Sequence, residues 1–283
     1  MNTAILLISS PDQKGITAAI TNFIYQNNGN IEHADQHIDS QSNTFFMRVE
    51  WSLESFKLVE DKIKESFLPL ANQFNMNWEL HFSNTPSRVA IFSSHSNHCL
   101  YDLLLKYKQN YFNCLIPLII GNASQTKDIA EKFGLKFVEF PKDANNKEET
   151  EKKEIALLKS ENIDTVVLAR YTQILTEQFI DRFPNRIINI HHSFLPAFIG
   201  SNPYSQAYKR GVKIIGATSH YATKELDAGP IIEQDTTRIS HRDSVADLKR
   251  KGQELERTVL SNALRLHLER KILVYGNKTV VFD

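Results

Sequence analysis

The sequence predicts an α/β protein of two domains: an N-terminal βαββαβ domain of the ferredoxin-like type, then a Rossmann-like domain around a mostly parallel sheet. The chain has 283 residues, more than one small domain needs. Strand and helix patterns in the first 80 residues are followed by a polar, proline-containing segment at 83–88. Beyond it, short apolar strands alternate with helices, which is typical of a parallel sheet buried on both faces.

The first domain is predicted at residues 1–83. Its first helix carries apolar residues on one face and follows Asp12, a candidate N-cap. The predicted elements are a strand at Ala4–Ser9, a helix at Gln13–Gln26, strands at Asn30–Asp39 and Thr44–Trp51, a helix at Leu53–Ala71 and a strand at Asn77–Phe82. This order is the split-βαβ pattern.

The second domain is predicted at residues 84–283. Its predicted parallel strands are Val89–Ser93, Cys114–Ile120, Phe137–Phe140, Asp164–Ala169 and Arg186–Ile190, with helices starting near Cys99, Thr126 and residue 147. The segment VKIIGATSHYA alternates as an antiparallel strand does. A long amphipathic helix at Ser244–Arg270 precedes a hairpin around Gly276-Asn277. The charge run NNKEETEKKE at 145–154 is interpreted as a solvated helix face.

Composition argues against several classes of function. The 33 basic and 33 acidic residues give no net charge, so neither nucleic acid nor an anionic membrane is an expected partner. The apolar run Ala4–Ile8 is short and follows no basic residue, so we expect a cytoplasmic protein. Cys99 and Cys114 lack a CxxC arrangement, and no G-x-G-x-x-G or P-loop is present. We therefore expect no metal and no cofactor.

The candidate chemistry lies where the strand at 186–190 ends in Asn189–His192. In parallel sheets, ligands bind beyond the carboxyl ends of strands. Farther along, His220 lies on a strand and Asp227 in a turn-forming Asp-Ala-Gly-Pro. An amide, an imidazole and a carboxylate suit acyl transfer, and without a nucleophile elbow, water or an amine is the expected attacker. Spacing alone favours interpreting Asp227 as a turn residue and His192 and His220 as structural or surface residues.

Two motifs resemble the signature of a known family. NIHHSFLPAFIG at 189–200 and LDAGPII at 226–232 resemble the paired motif N-I-H-x-S-x-L-P and D-x-G-P-I of formyltransferases that use 10-formyltetrahydrofolate, over roughly residues 87–283. The N-terminal unit resembles an ACT domain. With HCLYDLL, LARYTQIL and GATSHYATKELDAGPIIEQD, the combination resembles the hydrolytic branch of that family.

The resemblance implies an ACT-like regulatory domain at 1–83 and a formyltransferase-fold catalytic domain at 84–283. The implied enzyme is a hydrolase of a linear amide C–N bond that converts 10-formyltetrahydrofolate to tetrahydrofolate and formate. This reaction would supply formate for purine biosynthesis and balance the one-carbon folate pools. An amino-acid effector at the ACT domain and a homo-oligomeric state are also implied.

The resemblance also assigns residues. It carries the family's catalytic amide, imidazole and carboxylate onto Asn189, His191 and Asp227. The implied substrate-binding residues are Thr172, Gln173, Ile174 and Leu175 on one wall, and Thr223, Lys224, Glu225 and Leu226 on the other. The oxyanion would be held by Asn189 and a protonated His191, while Asp227 would raise the proton affinity of His191 and orient the attacking water.

Two departures favour hydrolysis over transfer. Glycinamide ribonucleotide formyltransferases place a Gly-Ser-Asn loop after the first strand to bind phosphate, where this chain has Asn97-His98-Cys99. His192 stands where the transferases commonly have Pro, and either positions water or is structural. A formyltransferase of the glycinamide ribonucleotide type stays the main alternative. Methionyl-tRNA formylation fits the zero net charge less well, and a non-catalytic small-molecule sensor fits the intact Asn189, His191 and Asp227 less well.

Overall fold

The computed structural model describes residues 2–141, 146–197 and 202–282. These residues form two compact units. The first comprises 2–86, 270–275 and 279–282, and the second lies within 87–269 and 276–278. No helix of the described ranges is long and apolar enough to cross a membrane. The end of the NIHHSFLPAFIG motif, 198–200, and the first residue of the charge run, Asn145, fall outside the described residues.

The first unit contains a four-stranded antiparallel sheet with two helices, and it confirms the predicted βαββαβ order. Its elements are β1 (Thr3–Pro11), α1 (Ile16–Gln26), β2 (Asn30–Asp39), β3 (Thr44–Ser52), α2 (Glu60–Gln73) and β4 (Asn77–Phe82). The strand order is β2-β3-β1-β4. Apolar residues of both helices pack on the sheet, and Ile20 and Ile24 of α1 are fully buried with Trp51 of β3. The helices therefore cover one face of the sheet.

Both helices of the first unit start later than the sequence predicts. Asp12 does not cap α1, because the helix starts at Ile16 and its N-cap is Gly15 with a φ of 95°. Glycine adopts this left-handed conformation without strain. The helix predicted from Leu53 starts only at Glu60, since Ser55 has a φ of 62°, which interrupts a helical backbone. Apolar spacing alone does not reveal either interruption.

The second unit is built on a seven-stranded sheet. Its elements are β5 (Ser87–Ser93), α3 (His98–Lys108), β6 (Cys114–Gly121), α4 (Ser124–Lys132), β7 (Phe137–Glu139), α5 (Lys147–Ser160), β8 (Thr165–Ala169), α6 (Glu177–Ile180), β9 (Ile187–His191), α7 (Pro203–Arg210), β10 (Ile214–Tyr221), β11 (Ile231–Arg238) and α8 (Val245–Leu268). The predicted strands are confirmed, whereas α6 and α7 are short helices that the sequence analysis did not predict.

The strand order of the second unit determines where a ligand can bind. The order is β11-β10-β9-β8-β5-β6-β7, with parallel pairing from β9 to β7 and antiparallel pairing of β10 and β11. After β5 the chain adds strands on one side, and from β8 onwards it adds them on the other. The topological switch point therefore lies between β5 and β8, where open α/β sheets form a ligand crevice at the carboxyl ends.

The chain closes with the predicted hairpin of β12 (Ile272–Tyr275) and β13 (Lys278–Val281), whose turn contains Gly276 with a φ of 55°. The sequence analysis placed this segment in the domain at 84–283, but its residues 270–275 and 279–282 belong to the first unit. The physical reason is apolar burial: Phe282 is 1% exposed and packs against Leu7 and Phe46 of the first unit's sheet.

Candidate active site

The end of β9 places two of the predicted site residues on one face of the sheet. Asn189 and His191 are two positions apart, so their side chains point to the same side of the strand. The antiparallel neighbour β10 pairs His220 directly with Asn189 and Thr218 with His191. Residues paired across an antiparallel ladder share a face. The sheet therefore brings His220 to the side chains that the sequence analysis selected.

Asp227 joins this group from the loop after β10. Its Oδ2 lies 3.2 Å from Nδ1 of His191, and its side chain is 8% exposed. Its φ of 54° is left-handed, a conformation that Asp tolerates better than most residues. The loop folds back closely, because a Cβ at Gly229 would lie 1.8 Å from the carbonyl oxygen of Tyr221. Glycine at this position thus allows the turn that carries Asp227 to His191.

His220 connects Asp227 and Asn189. Its Nδ1 lies 3.0 Å from the carbonyl oxygen of Tyr221, which can only accept, so Nδ1 carries the hydrogen. In the neutral ring Nε2 is then an acceptor, and it lies 3.2 Å from the amide nitrogen of Asn189. The same Nε2 is 3.7 Å from Oδ1 of Asp227. His220 therefore fixes the orientation of the Asn189 amide and leaves that amide a second hydrogen for another acceptor.

The second nitrogen of His191 has no partner within the part of the chain that the structure describes. His191 is 5% exposed, and its Nε2 is buried without a hydrogen-bond partner among the described residues. Burying such an atom unpaired is costly, so a native structure that does so invites a functional explanation. With Nδ1 held by Asp227, Nε2 is the atom that can reach a bound molecule.

The charge of Asp227 is secured by its surroundings. Burial raises the pKa of this carboxyl, but the hydrogen bond from His191 and the nearby His220 outweigh burial and hold the pKa well below its usual value. Asp227 is therefore ionised at neutral pH.

His192 lies beside this group. Its ring centroid is 5.1 Å from that of His191 and 5.8 Å from that of Tyr204. Burial, together with the charge of Arg170, lowers the pKa of His192 to about 4. The ring is therefore neutral at neutral pH, and a neutral imidazole has a nitrogen that can accept a hydrogen bond.

The two expected folate walls lie on neighbouring loops. Thr172 follows β8, and its N–H and hydroxyl both donate to Oγ of Ser94, at 3.2 and 3.3 Å. Lys224, in the loop that carries Asp227, is paired with Glu177 of α6. The predicted segments run from 172 to 175 and from 223 to 226. In the first segment, Ile174 is 59% exposed, Gln173 is half-buried and Leu175 is buried. In the second segment, Leu226 is 57% exposed, and the Thr223 hydroxyl donates a hydrogen bond to the Glu225 carbonyl.

Sequence reasoning did not identify a second polar cluster. His98, Arg170 and Tyr204 surround Glu256 of α8, which is fully buried. His98 and Glu256, with Cys99, also bring three potential metal-ligating atoms within 4.8 Å of one another. These residues are far apart in the sequence. The one sequence signal that could have indicated the cluster is a Glu on the apolar face of the last helix.

Residues 87–264 match the formyl transferase family model, and residues 4–67 match the ACT domain model. The chain is 56% identical over 280 residues to a formyltetrahydrofolate deformylase of Synechocystis sp., covering 99% of this chain and 98% of the relative. The chain belongs to the formyltetrahydrofolate deformylase family. A Bacillus subtilis deformylase is 43% identical over 98% of this chain and 93% of its own length.

Solved structures separate the deformylase family from the transferases. A formyltetrahydrofolate deformylase from Pseudomonas syringae superposes with a TM-score of 0.98 at 44% identity, covering 100% of this chain and 95% of its own. A glycinamide ribonucleotide transformylase from Symbiobacterium toebii reaches 0.67 at 27% identity, covering 72% of this chain and 98% of its own. The expected deformylase resemblance and fold class are confirmed, including the ACT domain that precedes the formyltransferase domain.

Proposed function

We propose that this chain hydrolyses 10-formyltetrahydrofolate to tetrahydrofolate and formate. The observation that carries the proposal is the likeness to formyltetrahydrofolate deformylases over nearly the whole chain, at 56% identity to one of them. The meeting of Asn189, His191 and Asp227 supports it chemically. We further propose that the released formate serves purine biosynthesis and that the reaction balances the one-carbon folate pools.

In the proposed mechanism, water attacks the formyl carbon and the carbonyl becomes a tetrahedral oxyanion. The second amide hydrogen of Asn189 and a protonated Nε2 of His191 donate to that oxygen. Asp227 stabilises the imidazolium and takes up a proton as the water attacks. The bond between the formyl carbon and the folate nitrogen then breaks as Asp227 returns its proton to that nitrogen. The released formic acid loses its acidic proton to solvent and leaves as formate.

The substrate would lie between the two loops described above. We propose that the main chain of 172–175 binds the pterin edge and that 223–226 forms the opposite wall. The exposed apolar side chains of Ile174 and Leu226 support this assignment, because an apolar surface beside polar backbone groups suits a heterocycle. The pair between Lys224 and Glu177 holds the second loop near α6, which begins two residues after Leu175.

His192 is proposed to hold the attacking water. Its ring is adjacent to that of His191, and it is neutral, so a nitrogen can accept a hydrogen bond from water. A transferase would instead have to bind an amine substrate at this place, with side chains that hold that substrate. Positioning a small nucleophile next to the carbonyl is a large part of the catalytic effect that such a site can provide.

The decisive experiment is incubation of the purified chain with 10-formyltetrahydrofolate and no acceptor. Stoichiometric formate and tetrahydrofolate are expected, and the Asp227→Asn protein purified in parallel controls for contaminating activity. Addition of glycinamide ribonucleotide should not change the rate and should yield no formylated product. Formyl transfer to that amine, with no formate in its absence, would instead establish the transferase.

The N-terminal ACT domain is proposed to bind a small-molecule effector, specifically an amino acid. The carboxylate of an amino acid suits the unpaired N–H groups at the start of α1, after Gly15. A homo-oligomer is also proposed. Calorimetric titration of the whole protein with each amino acid, followed by rate measurements and sedimentation, tests both statements. No binding by any amino acid would contradict the effector, and a monomer at every concentration would contradict the oligomer.

A further inference from the structure

Glu256 is a buried charge with three partners from three different elements of the second unit. Its Oε2 lies 2.9 Å from Nε2 of His98 and 3.3 Å from Nε of Arg170. Its Oε1 accepts a 2.5 Å hydrogen bond from the hydroxyl of Tyr204. The Glu256 side chain is 1% exposed. These four residues, His98, Arg170, Tyr204 and Glu256, are called the Glu256 network below.

The network lies at the topological switch point. His98 starts the helix that follows β5, and Arg170 directly follows β8, so both stand at the carboxyl ends of the two strands that flank the switch. Arg170 has a φ of 59°, which is unusual for a long side chain and stores backbone strain. The ion pair between Arg170 and the buried Glu256, beside the ligand crevice, therefore differs from an ordinary surface ion pair.

The charges of the network are well defined. Burial raises the pKa of Glu256, but the hydrogen bond from His98 and the charge of Arg170 outweigh it, so the pKa lies below its usual value. Burial and the adjacent Glu256 raise the pKa of Tyr204, so its hydroxyl stays a donor. Arg170, whose guanidinium is always protonated, places a permanent cation beside Glu256. A metal ion bound by His98, Cys99 and Glu256 would compete with that cation, and burial also keeps the Cys99 thiol protonated.

Tyr204 connects the network to His192. Its ring lies 5.8 Å from the His192 ring at an interplanar angle of 71°. Among the described residues, His192 and Tyr204 both line an apolar cavity of about 160 Å³. Gly252 makes room for the tyrosine, since a Cβ at that position would lie 2.0 Å from the Tyr204 hydroxyl oxygen. The hydrogen bond to Glu256 thus sets the direction of the Tyr204 hydroxyl, while the ring packs in a buried cluster with Ala207, Ile215 and Leu248.

We propose that Glu256 is a positioning residue for hydrolysis, which acts through Tyr204 to hold the imidazole of His192 against the attacking water. This inference rests on the proposed function. His98 and Arg170 keep Glu256 charged and oriented, so that its oxygen anchors the tyrosine hydroxyl. The His98 side chain is used inside the protein, where it contacts Glu256.

The test compares two small substitutions with a matched control. Glu256→Gln and Tyr204→Phe each remove part of the anchor while keeping shape, and Glu254→Gln makes the same change at an exposed position on the same helix. We expect kcat for formate release to fall about tenfold in the first two, at the lower end of the ~10–100-fold effects of groups that orient a functional histidine. KM should stay within about twofold, as expected when only transition-state interactions are lost. Glu254→Gln should match the wild type.

A double-mutant cycle distinguishes positioning from folding. His192→Phe keeps an aromatic ring against Tyr204 but removes both nitrogens. If the network acts through His192, Tyr204→Phe has no further effect on kcat in that background, whereas a merely structural role gives the same loss in both backgrounds. Tyr204→Phe should also shift the His192 imidazole proton resonances, which Glu254→Gln should not.

The outcomes are separable from those of the proposed function. If the wild type releases no formate, the proposed function fails and the positioning role, which rests on it, is overturned with it. If the wild type is active and a folded Tyr204→Phe protein keeps the wild-type kcat and His192 resonances, the positioning role is overturned. Equal losses in both backgrounds also overturn it. Should Glu256→Gln not fold, Tyr204→Phe decides alone, because it removes one hydroxyl and retains the ring.

Discussion

Replacing Asp227 by Asn tests the proposed mechanism with little disturbance of the fold. Asn has the same shape as Asp and tolerates the φ of 54° at this position, whereas Ala would add backbone strain. The change removes the carboxylate charge that lies 3.2 Å from Nδ1 of His191. It leaves the loop, Gly229 and the strand pairing unchanged. Loss of activity in this variant therefore reports on charge and basicity.

The expected loss follows from the distance. Two opposite charges 3.2 Å apart attract by roughly 5 kcal/mol at an effective dielectric constant of 20. The amide retains part of the contact, so we expect a loss of about 3–4 kcal/mol of transition-state stabilisation, which is a ~100–1,000-fold fall in kcat. KM for 10-formyltetrahydrofolate should change less than about threefold, because the charge pair contributes mainly after attack begins.

The assay measures initial rates of formate release over a range of substrate concentrations, with the thermal midpoint of each protein as a control. A folded Asp227→Asn protein with near-normal kcat would refute the assignment of base and charge to Asp227. Stability gives a second readout. Since the folded pKa of Asp227 is below its usual value, its stabilising effect is complete above about pH 4 and is lost as the pH falls. The stability difference between wild type and variant should shrink accordingly.

Three further changes have distinct expected results. His191→Ala should lower kcat ~100-fold or more with little change in KM, since the oxyanion exists only in the transition state; an effect confined to KM would make His191 a binding residue. As the pH falls from 6.5 to 4, the wild type should lose roughly 2–3 kcal/mol of stability, because the His192 ring has a pKa of about 4 when folded and about 6.5 when unfolded. The His192→Phe protein should not show this loss, and parallel urea titrations of both proteins over that range check this. Phe282→Ala should destabilise the first unit by about 3 kcal/mol or more, since the ring is 1% exposed against Leu7 and Phe46; an unchanged denaturation midpoint would contradict the assigned packing.

The fold class was predictable because the two domains have different hydrophobic periods. Alternating and helical patterns recur in the first 80 residues, and continuous apolar strands follow, so the order of strands and helices could be read directly. Helix starts at Ile16 and Glu60 could not, because they depend on positive φ angles at Gly15 and Ser55. The hairpin's place in the first unit depends on a long-range contact of Phe282, which periodicity does not encode.

The candidate site was predictable in part for a similar reason. Asn189 and His191 are two apart at a strand end, so their shared face follows from local geometry. His220 came into the site only through the register of β10 against β9, and Glu256 only through the packing of α8. The family resemblance identified Asp227, which spacing alone left as a turn residue. Sequence motifs therefore identified Asn189, His191 and Asp227. The positions of His220 and Glu256 depend on strand register and helix packing.

A backbone carbonyl determines the tautomer of His220. His191 and His220 both face Asp227, at 3.2 and 3.7 Å. The carbonyl of Tyr221 takes the hydrogen of His220 Nδ1, which leaves Nε2 as an acceptor for the Asn189 amide in the neutral ring. The strand register that places His220 opposite Asn189 thus also orients the Asn189 amide. The second hydrogen of that amide and Nε2 of His191, which has no partner within the described residues, are therefore both available to a bound substrate.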